Sequence, residues 1–148
     1  MADRIQFELV APERLILSEM VEMVVVPGTE GDFGVLPGHA PLISSLRPGM
    51  VAIYEGRTVT QRIFVVGGIA EVIPDRCTVL AEEAIAPEAL DRAAIEAELQ
   101  TIAGNLPLLR EQVARATGTE RERLLAELHR LERSEAIARA KHDAVATR

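Results

Sequence analysis

The chain has 148 residues, 48% of them hydrophobic and 26% charged, a balance that suits one globular domain, with or without an appendage, and excludes a disordered tract. Three Phe, one Tyr and no Trp demand an aliphatic core; a formal charge of −7 leaves neither the basic face nor the stacking surface that nucleic acid requires. Residues 1–86 carry six basic and twelve acidic side chains (−6) and residues 87–148 carry ten and eleven (−1), and at Pro87 the composition passes from Val, Gly and Pro to Ala, Leu, Glu and Arg, so two modules meet there.

In chain order, the N-terminus lacks a signal-peptide core, and residues 4–10 alternate strictly, with Ile5, Phe7 and Leu9 on one side, as a half-buried strand does. Pro12 breaks it. A short strand over 14–18 and an alternating run with Val21, Met23 and Val25 inward and Glu22 in water come next. Residues 27–42, PGTEGDFGVLPGHAPL, hold three glycines at a spacing of three and three prolines. They predict a shaped loop with Asp32 at its tip and His39 after the Pro37–Gly38 turn signal. Strands over Leu42 to Leu46 and Met50 to Tyr54, a two-residue turn at Glu55–Gly56 and a strand over Thr58 to Val66 follow. Gly67–Gly68 predicts a bulge or a close backbone approach, and Pro74–Asp75 turns the chain into Cys77 to Glu82. The longest apolar run, Ile63 to Ala70, is far shorter than the ~20 residues a spanning helix needs, so the chain reads as soluble by itself. Short, evenly spaced strands predict an antiparallel two-sheet β-sandwich.

From Pro87 the period is helical. Pro87 suits a first helical turn, and Leu90, Ala94, Leu99 and Ile102 keep roughly to one face. Gly104–Asn105 predicts a stop, Pro107 a restart with Leu106, Leu109 and Val113 on one stripe, and Gly118 a second stop. Thr119 and Glu122 have capping-box spacing before a last helix striped by Leu124, Leu128 and Leu131. The tail is expected as a hairpin of two or three helical segments, held less firmly than the sandwich.

Weighed for chemistry, Gly28, Gly31 and Gly34 lack phosphate-cradle spacing and read as glycines whose turns need positive φ. Asp32 and His39 have no nucleophile or second carboxylate near them in sequence, which favours loop structure or partner contact over acid–base catalysis. Cys77, the lone cysteine, admits no internal disulfide, fits a reducing cytoplasm and reads as a small core side chain. His39, His129 and His142 have no metal-ligand spacing, so neither a metal nor a cofactor is expected. The arginines of the last segment, interleaved with glutamates, read either as a solvated helix with internal ion pairs or as a set that meets an acidic protein surface.

PGTEGDFGVLPGHAPL, followed by RPGM at 47–50, GGIAEV at 67–72 and TVLAEEA at 78–84, resembles the ε-subunit family of bacterial F-type ATP synthases, specifically over residues 1–86 and in architecture alone beyond. The resemblance implies a non-catalytic rotor subunit on the cytoplasmic face of the bacterial inner membrane. Its sandwich binds the γ subunit and sits on the c-ring, so the chain meets the membrane only through the complex. It assigns Gly28, Glu30, Gly31, Asp32, Gly34 and His39 to the c-ring- and γ-facing loop, and Ala84, Ile85, Ala86 and Pro87 to a hinge. It implies a mobile, regulatory hairpin over 87–148 whose Arg121, Arg123, Arg130 and Arg133 approach a β subunit and restrain ATP hydrolysis. Family members that bind ATP there carry DxxRA; this chain has Asp91 but Ala94 in the arginine position, so the nucleotide-binding pattern is incomplete here. The alternative class is a free-standing binding module or assembly adaptor.

Overall fold

The computed structural model describes residues 3–147, in two compact units, the first reaching Ala89 and the second spanning Leu90–Thr147. Ten strands make the first among the described residues. β1 (Ile5–Ala11) buries Ile5, Phe7 and Leu9 as its alternation requires, and β2 (Arg14–Val21) runs back antiparallel to it. β3 (Met23–Gly28) corrects the expected phase. The chain bends at Glu22, so Val24 and Val26 turn inward instead of Met23 and Val25.

Residues 27–42 are likewise not one loop. β3 continues to Gly28, two residues turn, and β4 (Gly31–Val35) returns along it with Gly28 opposite Gly31. Prolines and glycines exclude a helix here but not a tight hairpin. β5 (Leu42–Leu46), β6 (Gly49–Glu55), β7 (Thr58–Val65), β8 (Gly68–Ile73), β9 (Arg76–Ala81) and β10 (Ala84–Ile85) complete the unit. The β6–β7 turn is Gly56–Arg57, one residue later than expected, with Gly56 at φ +65° and a ladder irregularity at Ile53/Tyr54.

The strand order β10-β7-β6-β3-β5-β8-β9-β1-β2 is one continuous sheet folded over into a sandwich. β3 is the corner: it pairs with β6 through Met23–Val25 and reaches β5 at Gly28↔Leu46. Valines, Ile5, Leu9, Ile53 and Phe7 fill the space between the layers, fully or almost fully buried. The wholly antiparallel expectation fails at one pair, since β1 and β9 run parallel. Alternation reports which side chains are buried and carries no information on strand direction.

Gly68 marks the tightest approach. Its φ is +138°, and a Cβ there would lie 2.0 Å from the Leu80 carbonyl oxygen, so the β8–β9 ladder closes only around glycine.

A short 3₁₀ turn, Pro87–Ala89, ends the first unit; Pro87 does not open the long helix. That helix, α1 (Arg92–Arg115), starts at Asp91, whose carboxylate accepts from the Ala93 and Ala94 N–H groups at 3.0 and 3.3 Å. It runs unbroken through Gly104, Asn105 and Pro107, against the expected stop. The reason is tertiary: Ile102, Leu106, Leu109 and Val113 stay in phase across the break signals and bury against Leu124 and Leu128 of α2 (Gly118–Thr147). Ile95, not the exposed Ala94, continues this buried line at its start, and Leu99 is half-buried. α2 begins at Gly118, so Thr119 lies inside its first turn and is not its N-cap. The second unit is therefore a two-helix hairpin.

Gly68→Ala should cost more than about 3 kcal/mol, combining left-handed strain with a backbone clash. Gly34→Ala, whose Cβ would meet Met23 Sδ at an ordinary 3.5 Å, is the control and should stay within about 1 kcal/mol. Urea titration of the two variants measures both.

Candidate functional site

The β3–β4 hairpin exposes Thr29, Glu30, Gly31 and Asp32. Its tip is Thr29–Glu30, and Asp32 stands on the returning strand opposite Pro27. The hairpin is held from the β5–β6 turn. Thr29 N–H donates to Ser45 O at 3.0 Å, Arg47 N–H donates to Pro27 O at 2.9 Å, and the Arg47 guanidinium donates to both the Gly28 carbonyl and Asp32 Oδ1. Asp32 and Arg47 are both half-exposed, so their ion pair adds little stability, on the order of 0–1 kcal/mol; its effect is to fix the direction in which the carboxylate points.

The three glycines have different reasons. Gly31 adopts φ +134°, as expected of a turn glycine. Gly28 does not have a positive φ; a Cβ there would strike the Gly31 carbonyl at 2.8 Å and the Phe33 ring at 2.9 Å, so it provides room. Gly34 has neither constraint.

His39 stands apart from Asp32. Its turn, closed by His39 N–H to Leu36 O at 3.1 Å, lies against the β8–β9 turn, where Gly38 N–H donates to Pro74 O at 2.7 Å. β4 separates the two ends, and its five residues at about 3.3 Å each span roughly 16 Å. The imidazole Nδ1–H donates to the Ala40 carbonyl at 2.7 Å.

Of the four residues expected to form a hinge, Ala84 and Ile85 are paired with Val65 and Phe64 in β10, Ala86 is exposed and Pro87 is buried. On α2, Arg123, Arg130 and Arg133 share one outer stripe by helical spacing, while Arg121 falls nearer the buried face. Arg123 bonds Glu120 at 2.7 Å, and this hydrogen bond raises the arginine's pKa and lowers the carboxylate's. Asp91 and Ala94 are engaged in the α1 cap.

One surface had escaped the sequence reading. The register aligns Ser45, Ile69, Leu80, Val10 and Leu15 side by side across β5, β8, β9, β1 and β2 on the outer face. Ile69, Leu80 and Leu15 are 45%, 46% and 58% exposed, an apolar band where outward positions are ordinarily polar. The neighbouring row carries Glu71, Thr78 and Glu8, and Glu82 stands at the end of the groove along the band. The signal was present in Leu9–Val10 and Val79–Leu80–Ala81, apolar runs that break alternation; register alone brings them together.

Among the described residues no helix is long and apolar enough to cross a membrane. The profile of the family described as ATP synthase, Delta/Epsilon chain, beta-sandwich domain matches residues 4–87. A relative from Rhodospirillum rubrum named ATP synthase epsilon chain is 60% identical over 100 residues, covering 68% of this chain and 75% of the relative. A chain of the same name from Rhodospirillum centenum is 51% identical over 130 residues, 84% of each. A chain of the Euglena gracilis mitochondrial ATP synthase structure comprising OSCP, F1 and c-ring superposes with a TM-score of 0.60 at 25% identity, covering 92% of this chain and 82% of that one.

Burial pushes the Cys77 thiol up to about 12 from 9.0. Folding therefore favours the protonated thiol, whose contribution is complete below pH 9.0 and is lost as pH rises through about 12. At pH 8 maleimide should modify Cys77 only as fast as the chain unfolds, as mass spectrometry against urea concentration would show. Asp32→Ala should destabilise by less than about 1 kcal/mol and Arg47→Ala by more, because Gly28 O also loses its donor; thermal melts rank the two.

Proposed function

The chain belongs to the ATP synthase delta/epsilon-chain family, and from that premise we propose that it is a non-catalytic rotor subunit whose sandwich joins the γ subunit to the c-ring. The observation that carries this is the coincidence of the family match with one rigid body bearing two exposed surfaces, the clamped hairpin and the apolar band. Rotation driven by proton flow reaches the catalytic head through that body. The hairpin, with Thr29, Glu30 and Asp32 outermost, faces the c-ring loops. The band Val10–Leu15–Ile69–Leu80, bordered by Glu8, Glu71 and Glu82, takes an apolar ridge of γ flanked by basic side chains. His39, beyond the far end of β4, lies in a turn held against the β8–β9 turn and supports that end of the sheet.

The chain is peripheral to the bacterial inner membrane, on its cytoplasmic face. The turning point of the tail falls at Ala86–Pro87 and just beyond, since Ala84 and Ile85 are held in β10. Arg123, Arg130 and Arg133 form the stripe offered to an acidic β-subunit segment, with Arg121 outside it. The hairpin carries only part of the family's nucleotide-binding pattern, for the Asp91 carboxylate caps α1 and Ala94 supplies no guanidinium.

Affinity purification of the tagged chain from membranes should recover γ and the c-ring. Ile69→Arg with Leu80→Arg should reduce γ recovery at least about tenfold with the circular dichroism spectrum unchanged. Asp32→Arg should keep γ and lower ATP-driven proton pumping. Full γ recovery by the folded double variant would reject the band as the docking face. Recovery of no ATP synthase subunit by the unsubstituted chain would reject the rotor reading itself and favour a free-standing adaptor.

A further inference from the structure

One turn of α1 is composed against helix formation. Pro107 has no N–H, so the Ala103 carbonyl has no donor four residues on, and the proline ring crowds that same carbonyl. Gly104 is exposed, with nothing within 4 Å of where a Cβ would stand, so no close packing requires glycine there. Asn105 is exposed and a poor helix former.

What holds this turn straight comes from the other helix. Leu106, 4% exposed, is anchored with Ile102 and Leu109 in the cluster that includes Leu124 and Leu128 of α2. The flanking segments have supports of their own. The first has the Asp91 cap, and the last has the Glu111–Arg115 ion pair at 2.6 Å and the Ala116 N–H to Gln112 O bond. The contrast localises the weakness to a single turn.

We infer that α1 is one continuous helix only while α2 covers it, and that when the Leu124–Leu128 face is withdrawn it breaks at Gly104–Pro107 into two shorter helices. The four residues that read as a helix stop in the sequence are then a conditional joint: closed by packing, open without it. A tail that leaves its closed hairpin does so as a jointed arm and not as a 24-residue rod.

Spin labels at the exposed positions Ala97 and Ala114, each substituted by Cys in a Cys77→Ala background of the full chain, report on the joint. A straight helix separates them by about 26 Å at 1.5 Å per residue. The otherwise unsubstituted chain should give one narrow distance distribution. Leu124→Ser with Leu128→Ser should broaden and shorten it, and adding Gly104→Ala with Pro107→Ala should restore it. A narrow distribution in the serine variant, or a broad one after the joint is repaired, would overturn the inference. Should the serine variant lose its helical signal altogether, amide exchange in the unsubstituted chain decides. Leu106 and Leu108 should exchange roughly tenfold faster than Leu99 and Ile102, and equal protection would overturn the inference.

Discussion

Burial of short aliphatic side chains between two layers of one folded-over sheet is the constraint from which the first unit follows. With three Phe, one Tyr and no Trp in the chain, Phe7 is the one fully buried ring in this cluster among the described residues, and short aliphatic side chains fill the rest of the space between the layers. Within a layer the closest approach is at Gly68, where the Leu80 carbonyl of the neighbouring strand occupies the place a side chain would need. The corner at β3 serves the same end, letting the sheet turn over without interrupting the sequence of strands. Polar groups do not substitute for this interior, since no buried polar or charged residue is found among the described residues.

How much of this was legible in the sequence depends on whether a signal was local. Strand existence was, because Ile5, Phe7 and Leu9 alternate over one continuous stretch, and so were the turns at Gly56 and Pro74. Phase across a bend was not: a one-residue bend at Glu22 exchanges Val24 and Val26 for Met23 and Val25 without changing any local propensity. The helix stop at Gly104–Pro107 is the opposite failure, a correct reading of local preference overridden by burial of Leu106 against a helix whose first residue lies a full turn of hairpin later. For the site, Asp32 could be picked out from sequence but its partner could not. Arg47 is fifteen residues away and meets it because β3 and β5 join at Gly28↔Leu46.

The two units are held by different physics. The sandwich keeps its interior through hydrogen-bonded ladders around fully buried side chains, whereas the helical hairpin buries a narrow stripe and covers its outside with ion pairs such as Arg123–Glu120 and Arg139–Glu135. Such exposed pairs support helices locally and weaken with salt, so they leave helix content largely independent of whether the seam is closed. Opening the seam therefore removes side-chain burial while most of the helix remains, apart from the turn at Gly104–Pro107.

The connection between hairpin and band explains why an exposed arginine is worth having. The backbone row Gly28↔Leu46↔Gly68↔Ala81 runs from the end of the hairpin to β9, one step from the row that holds Ser45, Ile69 and Leu80. These rungs connect the hairpin to the band, and the narrowest step among them is the single β3–β5 pair. It is there that Thr29 N–H, Arg47 N–H and the Arg47 guanidinium add their bonds. A pair that contributes little to global stability still removes the freedom of the hairpin to pivot about that one rung, which is what the proposed torque-bearing role of this surface requires of it.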